Sequence, residues 1–222
     1  MKIDKRIVYR ILIYILGLMF LAFSVAIAIN SNLGVSPVNS LPYIISQISG
    51  FAMGRCVTAI FLFFILLQIL LLRRRFQWHN LLQIIFAAIF GYLVDFAKWV
   101  IGGFSIPTYP GQLTMLAISI VLIGVGITLY VNTRLIPLPT EGLSLALTEV
   151  IGKIKFHNIK IIIDCIIVLT GAVLSLVFLD TLIGIREGTV ITAVFVGKVI
   201  GIVQKPLKPL IERICFQEQT AR

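Results

Sequence analysis

Long stretches without any charged residue constrain this chain more than any other feature. Residues 11–54 and 99–133 contain no Asp, Glu, Lys or Arg. Water-soluble domains rarely tolerate this, because roughly a quarter of their residues are charged. Here 13% of residues are charged and 59% are hydrophobic. A soluble core and a disordered chain are therefore both excluded. The sequence predicts an all-α integral membrane protein.

The charged residues divide the chain into six apolar stretches that match the roughly 20 residues a helix needs to cross a bilayer. The first is too long for the apolar region of a cleaved signal peptide and more spans follow it, so it is predicted to be an uncleaved helix. The six predicted transmembrane helices lie near residues 8–30, 55–73, 79–101, 112–132, 159–180 and 187–204.

Two shorter amphipathic segments, 37–49 and 139–151, separate spans one and two and spans four and five. Each is too short to cross a bilayer as a helix. Ser36 and Pro37 are typical of an N-cap and a first helical residue, and Gly50 is typical of a helix end. We therefore expect two short helices that are either re-entrant or interfacial.

The excess of basic residues predicts the orientation. The chain has 19 Lys and Arg against 9 Asp and Glu, a net charge of +10. The basic residues lie between apolar runs, so their expected partner is the anionic cytoplasmic leaflet of the lipid bilayer and not nucleic acid. If the short helices do not cross, Arg73–Arg75, Arg134 and both termini fall on one side. The positive-inside rule then predicts cytoplasmic termini in a multi-pass bacterial inner-membrane protein.

The two halves of the chain are related by sequence. Shifting the chain by 102 residues aligns Asn30 with Asn132, Leu33 with Leu135 and Pro37 with Pro139, and it also aligns Gly50 with Gly152. We assign residues 1–104 to a first repeat and 105–222, with a cytoplasmic C-terminal tail, to a second. Each repeat has three spans, an odd number, so the two would have opposite orientations. Such inverted repeats with short helices are typical of secondary transporters.

Several glycine-containing runs carry a family resemblance. Gly17-Leu18, Leu33–Pro37 and Gly54 in the first half, with Gly124–Gly126, Pro139–Leu143, Gly171, Glu187–Thr189 and Gly197 in the second, resemble the YczE/YitT-like bacterial membrane proteins. The resemblance covers most of the chain and implies its fold and location, but no substrate. The chain departs from the family where Asn39 and Glu141 replace the usual Asp and where Ile136-Pro137 replaces a glycine-containing step.

Signatures of enzymes are scarce. The chain lacks GxxxxGK[ST], HExxH and Gly-x-Ser-x-Gly, and His79 and His157 lie at span ends. The three cysteines are odd in number and widely spaced, which indicates apolar packing and no disulfide or metal framework. We expect no enzymatic activity, no catalytic residue, no cofactor and no metal.

Ionisable groups inside spans cost about 2.5 kcal/mol or more and therefore mark candidate sites. Glu141 and its repeat equivalent Asn39 would face each other near the bilayer midplane. The candidate substrate-binding residues are Asn39, Glu141, Lys160, Asp164, Asp95 and Ser36.

Structural explanations of these groups stay open. Asp95 with Lys98, and Lys160 with Asp164, are spaced to neutralise each other on one helix face. Glu141 would also stabilise the N-terminus of its own short helix.

Two further groups are interpreted structurally. Tyr130 is expected to lie in an interfacial aromatic belt. Three pairs of small residues are expected to pack within the bundle: Gly50/Gly54, Gly197/Gly201 and Ala22/Ala26.

The leading functional hypothesis is a carrier or permease for a small polar solute bound between the repeats. The alternatives are an accessory or regulatory membrane protein and the substrate-capture subunit of an ATP-driven importer. Participation of a coupling ion and formation of a homodimer stay open.

Overall fold

The computed structural model describes residues 5–216, which form helices connected by short loops, with no strand in that range. Two single-turn 3₁₀ helices, Arg73–Arg75 and Trp78–Leu81, connect α3 to α4. The α-helices are α1 (Lys5–Ser31), α2 (Pro37–Ser49), α3 (Met53–Leu72), α4 (Leu82–Ile101), α5 (Tyr109–Asn132), α6 (Pro139–Ile151), α7 (Phe156–Leu179) and α8 (Glu187–Cys215).

Six of these helices, α1, α3, α4, α5, α7 and α8, are long and apolar enough to cross a membrane. They correspond to the six predicted spans. The short helices α2 and α6 have the predicted bounds, 37–49 and 139–151. The expected all-α membrane architecture is therefore confirmed within residues 5–216. The C-terminal tail, 217–222, lies outside the described residues.

The loops before and after α2 and α6 have matching backbone conformations. Asn32 and Arg134, which are 102 positions apart, both have positive φ, 57° and 51°. Gly50 and Gly152, again 102 positions apart, end α2 and α6 with φ of 71° and 67°. Few residues adopt this left-handed conformation, and glycine does so without a Cβ penalty. The similarity of the two halves therefore extends from their sequence to their local geometry.

Helices α1 and α5 pack along each other at the centre of the bundle. A Cβ added at Gly17 of α1 would lie 2.8 Å from the carbonyl oxygen of Gly126 on α5, so these glycines allow the two backbones to approach. Around this pair, α4 packs on α1 and α8 packs on α5, while α2 packs on α7 and α6 packs on α3.

The pair α3 and α4 differs from the pair α7 and α8. Gly54 of α3 lies against Gly91 of α4, and a Cβ at Gly91 would lie 2.5 Å from the Gly54 carbonyl oxygen. By contrast, α7 and α8 do not pack closely on each other. Gly197 and Gly201 of α8 have no neighbouring atom within 4 Å of an added Cβ. The expectation that this glycine pair packs within the bundle is therefore wrong, whereas Ala22 and Ala26 of α1 are buried as expected.

Helix α8 is longer than predicted. The predicted span ends near 204, but the helix continues through Pro206 and Pro209 to Cys215. Ile211 and Cys215 are buried against Leu129 of α5. This packing stabilises the polar extension, which hydropathy alone does not detect because it lies beyond the apolar stretch.

Candidate functional site

A cavity of about 680 Å³ lies between α1, α5, α7 and α8 and receives the first turns of α2 and α6. Its lining is mostly apolar. The polar and charged side chains on the lining are Ser24, Ser36, Asn39, Tyr130, Thr140, Glu141, His157, Lys160, Asp164, Thr189 and Thr192. Mostly apolar concavities with a few convergent polar groups are typical of small-molecule sites.

The first turn of α2 forms one side of the cavity. Ser36 precedes the helix and Pro37 is its first residue, but the Ser36 side chain caps no backbone amide. Instead, Asn39 Nδ2 donates a hydrogen bond of 2.9 Å to Ser36 Oγ. Asn39 Oδ1 is buried without a partner. Whichever way the amide is turned, one of its polar atoms has no partner.

The first turn of α6 carries Glu141 as its third residue. Glu141 lines the cavity, and its Oε2 is buried without a hydrogen-bond partner. Tyr130 of α5 lies close enough to interact with this carboxyl group, yet its hydroxyl is also buried without a hydrogen bond of good geometry. Burial raises the pKa of Glu141, and the charge of Lys160 opposes the increase. The helix dipole favours a carboxylate at this position. It supplies no hydrogen bond to Glu141 Oε2, which can therefore accept one from an occupant of the cavity.

Helix α7 contributes an ion pair to the cavity wall. Lys160 Nζ donates to Asp164 Oδ1 at 2.6 Å across one helical turn, with both side chains about one-quarter exposed or less. The expected self-neutralisation of these two residues is therefore observed. His157, one turn before Lys160, lines the same cavity.

The start of α6 is held in place by two buried glutamine amides and a tyrosine. Gln68 of α3 donates to the Pro139 carbonyl at 3.1 Å and also pairs with Gln83 of α4. Tyr14 of α1 donates to the Ile136 carbonyl at 2.9 Å. These bonds satisfy one carbonyl group of the irregular segment before α6 and the carbonyl group of the first residue of α6, as a buried backbone requires.

The structure brings five of the six candidate residues to one cavity: Ser36, Asn39, Glu141, Lys160 and Asp164. Asp95 is elsewhere. Its Oδ1 accepts a 2.7 Å hydrogen bond from the backbone amide of Gly54 and so caps the first turn of α3. This bond, and not an ion pair with Lys98, partners Asp95.

Sequence reasoning missed the position of Tyr130. It is 2% exposed and lines the cavity, so its assignment to an interfacial aromatic belt is wrong. One sequence feature could have predicted this position. Tyr130 precedes Glu141 by only eleven residues, and the short loop between α5 and α6 keeps the end of one helix close to the start of the other. The hydrophobic pattern of α5 does not indicate which face of the helix is buried, because the helix is apolar on every side.

The charge of the lining is unbalanced. Lys160 and Asp164 neutralise each other, which leaves Glu141 as the charged group without a partner on the described lining. No group of three or more His, Cys, Asp or Glu suited to a metal occurs within residues 5–216. The arrangement offers hydrogen-bond acceptors and one carboxyl group to an occupant.

Comparisons with known proteins agree with this architecture. Residues 8–205 match the model of a family of unknown function, DUF6198. The chain is 27% identical over 199 residues to the uncharacterized membrane protein YczE of Bacillus subtilis (strain 168). The aligned region covers 88% of this chain and 86% of that protein. No solved structure matches. The expected family is confirmed: the chain belongs to the DUF6198 family of YczE-like membrane proteins.

Proposed function

We propose that this protein is a membrane carrier that binds a solute with a small polar part in the cavity between its two repeats. The observation that carries the proposal is the meeting of two equivalent helix starts at one cavity. Asn39 and Glu141, 102 positions apart, are each the third residue of a short helix and both line that cavity. Secondary transporters place substrates at this kind of repeat interface.

The packing of the helices supports an inverted repeat. Exchanging α1 with α5, α2 with α6, α3 with α7 and α4 with α8 converts the contact of α2 with α7 into that of α6 with α3. The same exchange converts the contact of α1 with α4 into that of α5 with α8. The largest contact without an equivalent is that of α3 with α4, because α7 and α8 do not pack closely on each other. Alternating access requires such an asymmetry, which the opposite state would reverse.

The basic residues support the proposed orientation. With α2 and α6 not crossing, Arg73–Arg75 and Arg134 lie at the same end of the bundle as the start of α1. The positive-inside rule places that end, and both chain termini, in the cytoplasm. We place the protein in the cytoplasmic membrane of a bacterium.

A metabolite panel tests the carrier proposal. The full chain in lipid nanodiscs is heated with each of a broad set of metabolites, and the compounds that raise its melting temperature are then tested for uptake into proteoliposomes. The expected result is at least one compound that stabilises and is transported. Glu141→Gln should alter that uptake, because it removes the unpaired charge of the cavity. Glu149→Gln is the matched control, since Glu149 is exposed on the same helix and does not line the cavity.

A panel in which no compound stabilises the protein would contradict the carrier proposal. Unchanged uptake by Glu141→Gln would remove Glu141 from the site.

The exposure of α8 favours a second candidate function. Only 6% of its most apolar window is buried, against 56% for α5. An accessory protein or the capture subunit of an ATP-driven importer would cover such a helix with another chain. The capture subunit predicts co-purification with a nucleotide-binding partner in mild detergent, whereas an accessory protein predicts no stabilisation by any compound of the metabolite panel. A monodisperse, transporting chain without partners would contradict both.

A further inference from the structure

We propose that the cavity takes an organic cation, with its ammonium or guanidinium head beside Glu141 and an apolar body along α7 and α8. The inference rests on the proposed carrier function and names the class of ligand. It goes beyond a polar solute, because it assigns the ligand both a sign of charge and an apolar part.

The charges on the lining give the sign. Glu141, Asp164 and Lys160 are the acidic and basic side chains on the described lining, apart from His157. Lys160 Nζ is 2.6 Å from Asp164 Oδ1 and is therefore already paired. An anion entering the cavity would lie near the unpaired Glu141 carboxylate, whereas a cation would neutralise it. Desolvated like charges cost more than exposed ones, because the local dielectric constant is low.

The unpartnered polar atoms specify the type of head group. Glu141 Oε2 is an acceptor that lacks a donor, and the amide of Asn39, which lines the same cavity, also has an unpartnered polar atom. A buried acceptor without a donor destabilises the protein, and a ligand that supplies the donor removes that cost. An ammonium or guanidinium group supplies several N–H donors to such oxygens, whereas a quaternary ammonium supplies none. The head is therefore expected to carry N–H groups.

The helix N-termini do not reverse this assignment. Each helix start carries about half a positive charge, which favours an anion. At α6, Glu141 is in the first turn and offsets this charge within the protein itself. At α2, no acidic residue lies in the first turn, but Pro37 has no N–H and the Asn39 amide already donates to the Ser36 carbonyl at 2.9 Å. The partial charge at α2 is spread over several backbone amides and falls off within the first turn, whereas the Glu141 carboxyl group is a localised acceptor.

The rest of the lining gives the apolar part. Along α7 and α8 the cavity is lined mainly by aliphatic side chains, including Ile161, Val168, Val194 and Ile200. These side chains lie on two helices that do not pack closely on each other. A wholly polar ligand would leave this apolar surface uncovered, whereas an aliphatic or aromatic body would cover it, which is favourable.

A series of probes with one tail and three head groups tests the inference. The full chain in nanodiscs is titrated with hexylammonium, hexanol and hexanoate at pH 7, and the melting temperature is measured at each concentration. Saturable stabilisation by hexylammonium, at concentrations at least tenfold lower than for hexanol, is the expected result, with no stabilisation by hexanoate. Glu141→Gln should reduce the apparent affinity for hexylammonium at least tenfold, to that for hexanol. The control Glu149→Gln should leave it unchanged.

The outcomes separate the ligand class from the carrier function. Binding of hexanoate as tight as that of hexylammonium, or absence of saturable binding by hexylammonium, overturns the cation assignment. If the metabolite panel then yields a transported neutral or anionic compound, the proposed carrier function is supported although the cation assignment is wrong. Should Glu141→Gln fail to fold, the ranking of the three probes on the wild-type chain decides alone.

Discussion

Two glutamines, Gln68 and Gln83, illustrate how single residues determine the geometry of the cavity. Both are 1% exposed, and they bond to each other and to the carbonyl group of Pro139, where α6 begins. A Cβ at Gly142 would lie 2.7 Å from Gln68 Oε1, so only glycine lets α6 approach this pair closely. The position of Glu141 therefore depends on amides that never contact the cavity themselves.

Replacing both glutamines should destabilise the protein by less than the sum of the two single replacements. Gln68→Leu leaves the Gln83 amide and the Pro139 carbonyl buried without partners, at a cost of about 1–3 kcal/mol. The double variant Gln68→Leu/Gln83→Leu removes one of those orphaned groups, so its loss should be smaller than the sum of the single losses. Thermal unfolding in detergent measures all three, with the exposed Gln47→Leu as control. Additive losses would show that the two amides act independently.

Glu141 should make stability depend on pH. Burial raises its pKa above 4.5 in the folded protein, so the folded state binds this proton more tightly than the unfolded state does. Stability is then expected to fall as pH rises from about 4.5 through the raised pKa, and to recover on acidification. The groups around Glu141 are Tyr14 on α1, Tyr130 on α5, and Lys160 and Asp164 on α7.

Melting temperatures of the wild type and Glu141→Gln across this pH range measure the effect. The glutamine variant should lose the decline, because it cannot titrate. Parallel pH profiles for the two proteins would contradict a buried, titrating Glu141.

At the scale of helices, α3 and α4 pack closely through two glycines, whereas their repeat equivalents α7 and α8 do not pack closely on each other. Gly91 of α4 lies against Gly54 of α3. A shift of 106 residues, four more than in the first part of the repeat, aligns Gly91 with Gly197 of α8, which has no atom within 4 Å of an added Cβ. The same residue type therefore supports a closed helix pair in one half and an open pair in the other.

This difference predicts opposite effects of one substitution. Gly91→Ala should destabilise the fold by about 1–3 kcal/mol, because the new methyl group overlaps the Gly54 backbone and Thr58. Gly197→Ala should leave stability unchanged or raise it by up to about 1 kcal/mol, since alanine favours a helix. Thermal unfolding of both variants gives the comparison. Equal destabilisation would indicate that α8 packs at Gly197 as closely as α4 does at Gly91.

The helices were predictable from sequence to a large extent, and the site less so. Hydropathy and short segment length locate the six spans and both short helices, because a bilayer imposes fixed lengths. They miss the end of α8, where packing of Ile211 continues the helix. Repeat alignment indicates that Asn39 and Glu141 occupy equivalent positions near a candidate site. It does not indicate that Asp95 caps α3 or that Tyr130 faces the cavity. Those facts depend on side-chain direction, which an apolar helix in lipid does not encode in its periodicity.

For the molecule as a whole, the asymmetry between the two halves is the feature that a carrier would use. The closed pair α3 and α4 and the open pair α7 and α8 exchange under the proposed repeat symmetry, so a second state with α7 and α8 closed has the same kinds of contact as the first. Interfaces of this kind are bistable and move as units. A solute held at the first turns of α2 and α6 would then be accessible from alternate sides.

Cross-linking of α7 to α8 tests for that second state. Cys165 is exposed on α7 and lines the cavity, whereas Cys56 and Cys215 are buried and are replaced by alanine. Gly197→Cys places a partner on α8, across the gap. A disulfide requires Cα atoms within about 7 Å, so it forms only when α7 and α8 approach each other. Oxidation in proteoliposomes should therefore cross-link this pair slowly, lock the carrier and abolish uptake, and reduction should restore it. Uptake that persists in fully cross-linked protein would show that transport does not require the gap to reopen.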